Sequence, residues 1–256
     1  MSANSTTGTG NRIDSHALLT KKRSLIRRMF SAIARRYDLL NHLLSLSLDH
    51  RWRQAAVRLS GVGAGRRVLD LCCGTGDLAV AFGGRAGSIV GLDFSRPMLS
   101  LARRKRATLP LIEGDALLMP FRTGGFDVAA VAFGVRNFPD LSQGIREMAR
   151  VVGAGGTIIV LELSRPSNPL LGAGHLLYIR LILPVLARAV SWTGVDAYRY
   201  LPLSIIGFAA HDRVSEEMRR VGLEDVRTQP LTLGIATVCV GTKPGEGAWG
   251  RPDPGS

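Results

Sequence analysis

Residues Arg66 to Cys73 form a short apolar run, R-R-V-L-D-L-C-C, that breaks on Gly74-Thr75-Gly76-Asp77 and gives way to a helical pattern beginning near Leu78. A strand that turns on glycines directly into a helix opens a βα unit, and such units close only by adding parallel strands. Ser88 to Asp93 reads as the next strand, with a helix opening near Pro97, and strands at Leu111 to Glu113 and Phe126 to Phe133 follow at similar intervals. A helix over Ile145 to Val152 and a strand over Thr157 to Leu163 continue the alternation. After an apolar insertion at 167–207, a helix at Arg213 to Val221 leads to two last strands, Val226 to Thr228 and Ile235 to Thr242, separated by Gln229-Pro230-Leu231-Thr232. The pattern predicts an α/β fold with a mostly parallel sheet of seven strands. Ahead of it, Leu25, Met29, Ile33, Leu39, Leu40, Leu43, Leu44 and Leu48 recur at spacings near three and four, predicting helices from Ser24 to Ser60.

At 256 residues the chain suits one core, spanning 24–244, better than two. Hydrophobic residues at 46% and charged residues at 21% exclude collagen-like, coiled-coil and wholly disordered classes. Residues 1–23 read as a flexible leader without the apolar run of a signal peptide, and 245–256 as a flexible Gly- and Pro-rich tail. Of the three cysteines, Cys72 and Cys73 are adjacent and cannot staple distant loops, which points to a reducing cytoplasm; no metal-ligand spacing stands out. Leu170 to Trp192 is the longest apolar stretch, but His175, Arg180, Pro184 and Arg188 interrupt it, so it reads as soluble or interfacial rather than spanning. The formal charge is +13, and Lys21, Lys22, Arg23, Arg27, Arg28, Arg35 and Arg36 gather before the first strand. Such an excess favours a polyanionic partner, nucleic acid or an anionic membrane face, against the plainer reading of compositional bias toward arginine.

The glycine turn lies at the carboxyl end of a strand, where open α/β sheets bind ligands. Gly74 and Gly76 let backbone approach a ligand, and the helix start beyond them offers N–H groups to a carboxylate or phosphate. Asp93 ends the second strand and suits a ribose diol, so the pair points to an adenosine-containing cofactor. NAD and S-adenosylmethionine both fit. The missing third glycine of G-x-G-x-x-G counts against NAD, and Asp70 just before the turn suits an ammonium group better than a pyrophosphate. Asp115, in Glu113-Gly114-Asp115-Ala116, is a candidate acceptor for an adenine amino group, or an ordinary loop carboxylate.

With these three motifs in order, the chain resembles the class I, Rossmann-like S-adenosylmethionine-dependent methyltransferases. Further motifs are more specific: Tyr37-Asp38-Leu39-Leu40-Asn41 with Ser47, His50 and Trp52; Phe133-Gly134-Val135-Arg136-Asn137; Leu161-Glu162-Leu163-Ser164; and Asp196-Ala197-Tyr198-Arg199-Tyr200-Leu201. Together, from about Phe30 to Thr242, they resemble the ubiquinone/menaquinone biosynthesis C-methyltransferase family, in its branch acting on naphthoquinols. Gly153-Ala154-Gly155-Gly156 departs from the family's K-P-G-G, altering a turn before a strand.

The resemblance implies methyl transfer from S-adenosyl-L-methionine to a ring carbon of a reduced, prenylated naphthoquinol. It implies cofactor binding by Asp70, Gly74, Thr75, Gly76, Asp93, Asp115 and Ala116. Ring carbon is a poor nucleophile until a neighbouring hydroxyl loses its proton, so a base or a cation is required. Arg136 and Asn137 are the candidates, arginine as stabiliser of a quinolate or orienter of water, with Tyr37 covering the methyl donor. Tyr198, Arg199 and Tyr200 are candidates for walling the ring pocket. Each has a plainer reading: Tyr37 as a helix-cap packer, Arg136 paired with Asp140, and the last three as core or salt-bridge residues. His175 and His211 have no supporting triad in the sequence. The insertion at 167–207 reads either as a roof for a lipid tail, resting at the inner face of an anionic membrane, or as a helical cap; a homodimer stays open. A nucleic-acid methyltransferase and a noncatalytic S-adenosylmethionine- or lipid-binding protein are the alternatives. Neither base-flipping motifs nor aromatic platforms stand out, so no nucleic-acid partner is expected.

Overall fold

The computed structural model describes residues 24, 26–28, 30, 31, 34, 37–39, 41, 42, 45–182, 185, 208 and 210–245. The leader, all of the tail beyond Gly245, and Tyr198, Arg199 and Tyr200 lie outside the described residues, as does most of the insertion's second half.

The described residues between 24 and 42 are helical, and after a turn at 45–47 they lead to α1 (Leu48–Leu59). There follow β1 (Arg67–Leu71), α2 (Asp77–Phe82), β2 (Ser88–Asp93), α3 (Arg96–Lys105), β3 (Leu111–Glu113) and β4 (Phe126–Ala132). A 3₁₀ turn at Val135–Asn137 precedes α4 (Leu141–Val151) and β5 (Val152–Leu163). The insertion supplies α5 (Pro169–Leu177), continued by a π turn at Tyr178–Ile182; α6 (Ala210–Arg220), β6 (Glu224–Leu231) and β7 (Ala236–Thr242) complete the chain.

The seven strands lie in the order β3-β2-β1-β4-β5-β7-β6. Only β7 runs against its neighbours, pairing antiparallel with both β5 and β6. Val68 to Leu71 are buried without interruption, as befits a central strand covered on both faces. On one side Trp52, Ala56, Leu78 and Phe82 pack against it, and on the other Ile145, Met148, Val214 and Met218. Chain order reverses between β1 and its neighbour β4, which opens a crevice beyond their carboxyl ends. The glycine turn after β1 and the Phe133–Asn137 loop after β4 therefore meet there. Each strand is bent by a non-glycine residue in left-handed conformation, Cys72 at φ 50° and Phe133 at φ 59°. A phenylalanine held there costs about 1–3 kcal/mol, which the hydrogen bond from its N–H to Leu161 O (2.8 Å) and the packing of its ring help to sustain.

Two strands extend further than sequence predicts. β6 runs through Pro230 to Leu231, where a turn was expected, because β6 is the sheet's edge and a proline without an N–H is tolerated there. The glycine run Gly153–Gly156 lies inside β5 rather than before it, at the register shift between Phe126 and Val128. A Cβ on Gly156 would come 2.3 Å from Val152 Cγ1 and 2.8 Å from Asp127 O, so the bulge needs glycine at that position.

Candidate active site

Beyond the carboxyl ends of β1, β2 and β4 lies a cavity of about 710 Å³. Gly74, Asp93, Asp115, Ala116, Asn137 and Tyr37 all line it. Asp93 is 5% exposed and held rigidly: one carboxylate oxygen accepts from Gly74 N–H (2.9 Å), the other from Ser95 N–H (2.8 Å). A carboxylate has about four acceptor positions, and with Phe94 N–H as a further donor, capacity remains for a ribose hydroxyl. Burial raises its pKa to about 6, with the backbone donors at Ser95 and Gly74 pulling the other way. A Cβ on Gly74 would stand 3.9 Å from the Tyr37 ring, so the crevice is open at this point, and the residue's φ of 53° favours glycine. Asp115 accepts from Leu117 N–H at 2.8 Å. Leu92, Phe94 and Met98 give apolar walls suited to a flat ring. Acidic, rigid and apolar parts together fit an adenosine-bearing sulfonium.

Three expected cofactor residues stand behind this lining. Asp70 is 1% exposed and accepts from Ala79 N–H (2.9 Å) at the start of α2, so the N–H groups expected to be open to a ligand are partly taken by the protein. Burial drives the Asp70 pKa up to about 8; the Ala79 bond and Arg53 oppose the rise, while Asp93 and Asp77 add to it. Thr75 is buried and donates to Asp38 Oδ1 (2.5 Å), and Gly76 at φ 85° is the N-cap of α2.

The N-terminal helical residues lie across the cavity. Arg27 pairs with Glu113 (2.6 Å), Ser31 shares a hydrogen bond with Ser95 (3.0 Å), and Lys105 Nζ meets Asp38 Oδ2 (2.6 Å) and Thr75 Oγ1 (3.0 Å). Tyr37 packs edge-on to Phe30 at 5.9 Å and is hydrogen-bonded to Asn41. Burial raises its pKa, against the lowering influence of Arg136 and Asn41, so its hydroxyl stays neutral.

A second cavity of about 420 Å³ shares Phe133 with the first. Leu46, Trp52, Leu163, Leu170 and Ile179 give it an apolar lining, and Asp49, Arg136, His175 and Tyr178 are its titratable groups. Arg136 and Asn137 thus separate: Arg136 lines the second cavity and Asn137 the first. The Arg136 side chain, 6% exposed, pairs with Glu162 Oε1 (2.5 Å) and donates to Phe133 O (2.7 Å). It does not pair with Asp140, which caps α4 by accepting from Gln143 N–H (2.9 Å).

Three residues were given no role in the site from the sequence. Glu162, singled out there only within the motif Leu161-Glu162-Leu163-Ser164, holds Arg136. Arg53 on α1 stands 5.4 Å above the Phe133 ring and binds Asp49 and Asp77. Asp49 is 2% exposed and also accepts from Ser45 (2.8 Å) and His42 Nδ1 (2.9 Å). Burial would raise its pKa, but the hydrogen bond and charge of Arg53, with Ser45 and His42, hold it down to about 2. His42, Asp49 and His50 bring ligand atoms within 4.8 Å of one another. With its oxygens engaged by three donors and its charge met by Arg53, Asp49 is a poor ligand for a metal ion.

Residues 18–243 match the model of the ubiE/COQ5 methyltransferase family. The chain is 44% identical over 222 residues to a demethylmenaquinone methyltransferase of Thermus thermophilus, covering 84% of this chain and all of that protein (100%). It is 43% identical to a ubiquinone/menaquinone biosynthesis C-methyltransferase of Geobacter sp., covering 88% and 99% of the two chains. Among solved structures, a S-adenosylmethionine-dependent methyltransferase of Thermotoga maritima has a TM-score of 0.58 at 19% identity, over 84% of this chain and 99% of that one. A Haemonchus contortus phosphoethanolamine N-methyltransferase with bound S-adenosylhomocysteine has a TM-score of 0.55 at 14% identity, over 75% and 52%. The solved structures share the fold; the family model, matching residues 18–243, and the two relatives, covering 84% and 88% of this chain, make it a member of the ubiE/COQ5 methyltransferase family.

Proposed function

We propose that the protein methylates a ring carbon of a reduced, prenylated naphthoquinol, converting demethylmenaquinol to menaquinol. The observation that carries the acceptor's identity is the second cavity, apolar and meeting the first at Phe133. A ring seated there faces the first cavity, while a hydrocarbon tail finds Leu163, Leu170 and Ile179. The relatives from Thermus and Geobacter bear names of the same reaction class.

As a methyltransferase of this family the protein uses S-adenosyl-L-methionine, which supplies an electrophilic methyl group on a sulfonium. In our reading Asp93 accepts from the ribose hydroxyls, Gly74 permits close approach of the backbone, and Asp115 with Ala116 receives the adenine. Thr75 and Gly76 shape the turn, and Asp70 supports it from beneath. Tyr37 and Asn137 border the donor. Arg136 stays protonated and so cannot be the base, but held by Glu162 it lowers the energy of a quinolate oxygen in the neighbouring cavity. Ring carbon then attacks the methyl group in line as the sulfur–carbon bond breaks. Proximity of two preformed cavities converts a bimolecular encounter into a positioned one.

We further propose that the mouth of the second cavity rests on an anionic membrane. Leu46, Leu170 and Leu233 line this cavity yet are 72%, 83% and 72% exposed. Among the described residues no helix is long and apolar enough to cross a membrane.

The test is methyl transfer from labelled S-adenosylmethionine to reduced demethylmenaquinone in mild detergent, with a demethylated benzoquinol and bulk RNA as parallel acceptors. Label on the naphthoquinol is the expected result. Label on both quinols widens the acceptor range, and label on RNA alone overturns the reading.

A further inference from the structure

We infer that His175 is the base that takes the acceptor's hydroxyl proton, an inference that rests on the second cavity being the acceptor's seat. His175 sits in the last turn of α5, half-buried, and lines that cavity. Its ring makes no hydrogen bond or ion pair to any described residue, so both nitrogens are available to a ligand. The other titratable groups facing the cavity among the described residues are Asp49 from α1, Arg136 from the turn after β4, and Tyr178 from the π turn.

Each of these is a poor base. Arg136 keeps its proton and so cannot accept another, while Glu162 fixes its position. Asp49 is held by Arg53, Ser45 and His42, and taking a proton would mean breaking those bonds. Tyr178, its pKa raised by burial, is a neutral phenol. Burial lowers the His175 pKa below the usual 6.5, because nothing near it compensates the desolvation of an imidazolium. At neutral pH the ring is uncharged and carries a free lone pair, as a general base requires.

The step balances as follows. The quinol O–H gives its proton to a His175 nitrogen, and the oxygen's negative charge faces Arg136. The electron-rich ring carbon forms a bond to the methyl carbon while the sulfonium–carbon bond breaks and its electrons return to sulfur. The methylated carbon then loses its ring proton to water, and the oxygen recovers a proton from His175. One proton is released per methyl group transferred.

The experiment uses the full chain, comparing wild type with His175→Gln and His175→Asn. With S-adenosylmethionine and a reduced demethylmenaquinol of short prenyl chain, kcat is expected to fall roughly 10²- to 10⁴-fold in either variant. KM for the quinol and calorimetric affinity for S-adenosylhomocysteine should change little. In the wild type log kcat should drop with unit slope below the histidine's pKa, and that limb should be absent from both variants. A second readout does not need turnover: the protein is labelled at histidine Cε1, and the His175 signal is assigned by its loss in the variants. Its titration midpoint should lie below 6.5 and should move when 1,4-dihydroxynaphthalene is added with S-adenosylhomocysteine. A kcat within about threefold of wild type with the acid limb intact overturns the inference, since a general base contributes at least about a hundredfold. So does a His175 signal indifferent to the diol in an enzyme that methylates naphthoquinol. Failure of the wild type to methylate any quinol overturns the acceptor reading first, and the role of His175 with it. If one variant does not fold, the other assigns the His175 signal and the wild-type titration decides.

Discussion

Asp70 and Asp93 lie near the carboxyl ends of neighbouring strands, yet the protein uses them differently. Asp93 is held by backbone donors at Gly74, Ser95 and Phe94 and faces the first cavity, whereas Asp70 is turned beneath α2 and accepts from Ala79 N–H. Asp93→Ala should therefore weaken S-adenosylhomocysteine binding by about 1.5–3 kcal/mol, roughly ten- to a hundredfold by calorimetry. Asp70 carries a pH signature instead. Its folded pKa of about 8 lies above the usual 3.8, so the unfolded chain releases this proton first and stability declines as pH rises between the two values. Asp70→Asn copies the protonated form and removes that decline. Urea unfolding without cofactor at pH 5 and pH 7.5 should show the variant gaining on wild type by at least about 1.4 kcal/mol at the higher pH, the worth of one pKa unit. Equal differences at both pH values would refute it. Arg136 requires a different design. Truncation to alanine leaves Glu162 buried and unpaired, costing about 3–5 kcal/mol of stability and obscuring any catalytic loss. Arg136→Lys keeps the charge but loses the guanidinium's fork, so turnover should fall while cofactor affinity holds.

The N-terminal helical residues reach the first cavity because Lys105 on α3 gathers Asp38, Thr75 and Asp77 around one ammonium group. Lys105→Ala would leave Asp38 and Asp77 close together without their cation. The helical residues should then open more often, and stopped-flow release of S-adenosylhomocysteine should quicken about three- to tenfold, with faster amide exchange near Tyr37. Unchanged release would mean that Phe30, Ser31 and Arg27 suffice to hold the segment. None of this was visible in sequence, where Lys105 is one of many basic residues on a helix. What was visible is what local pattern determines: the strands at Ser88 to Asp93 and Leu111 to Glu113, the glycine turn, and the separation of Asp93 from it. Edge position and bulges are set by neighbours in the sheet, so β6 through Pro230 and the glycine bulge in β5 were misread as turns. Cys72 and Phe133 in left-handed conformation carry none of the Gly or Asn signal such positions usually show. Arg136 and Asn137 were legible as a motif, but their division between two cavities depends on a 3₁₀ turn and on Glu162 from the next strand.

The molecule's charge and its exposed leucines make sense together if the acceptor is delivered from a lipid surface. A prenylated quinol is scarce in water, so an enzyme whose acceptor cavity opens onto the bilayer avoids a costly transfer through solvent. On the proposed membrane contact, the formal charge of +13 would supply attraction to anionic lipid, about 1 kcal/mol for each Lys or Arg near the surface. Leu46, Leu170 and Leu233, exposed and lining the second cavity, would supply apolar contact there. The protein is therefore expected to sediment with vesicles containing phosphatidylglycerol, and to bind pure phosphatidylcholine vesicles poorly. Binding should weaken as salt approaches 1 M, where the Debye length falls to about 3 Å. Leu170→Glu with Leu233→Glu places two like charges on that rim without touching Asp93, Arg136 or His175. The double variant should raise KM for long-chain demethylmenaquinol in vesicles about tenfold, while kcat with a short-chain quinol in detergent remains near wild type. Equal binding to neutral and anionic vesicles would remove charge from the account. A KM unmoved by the double variant would place lipid contact on some other face.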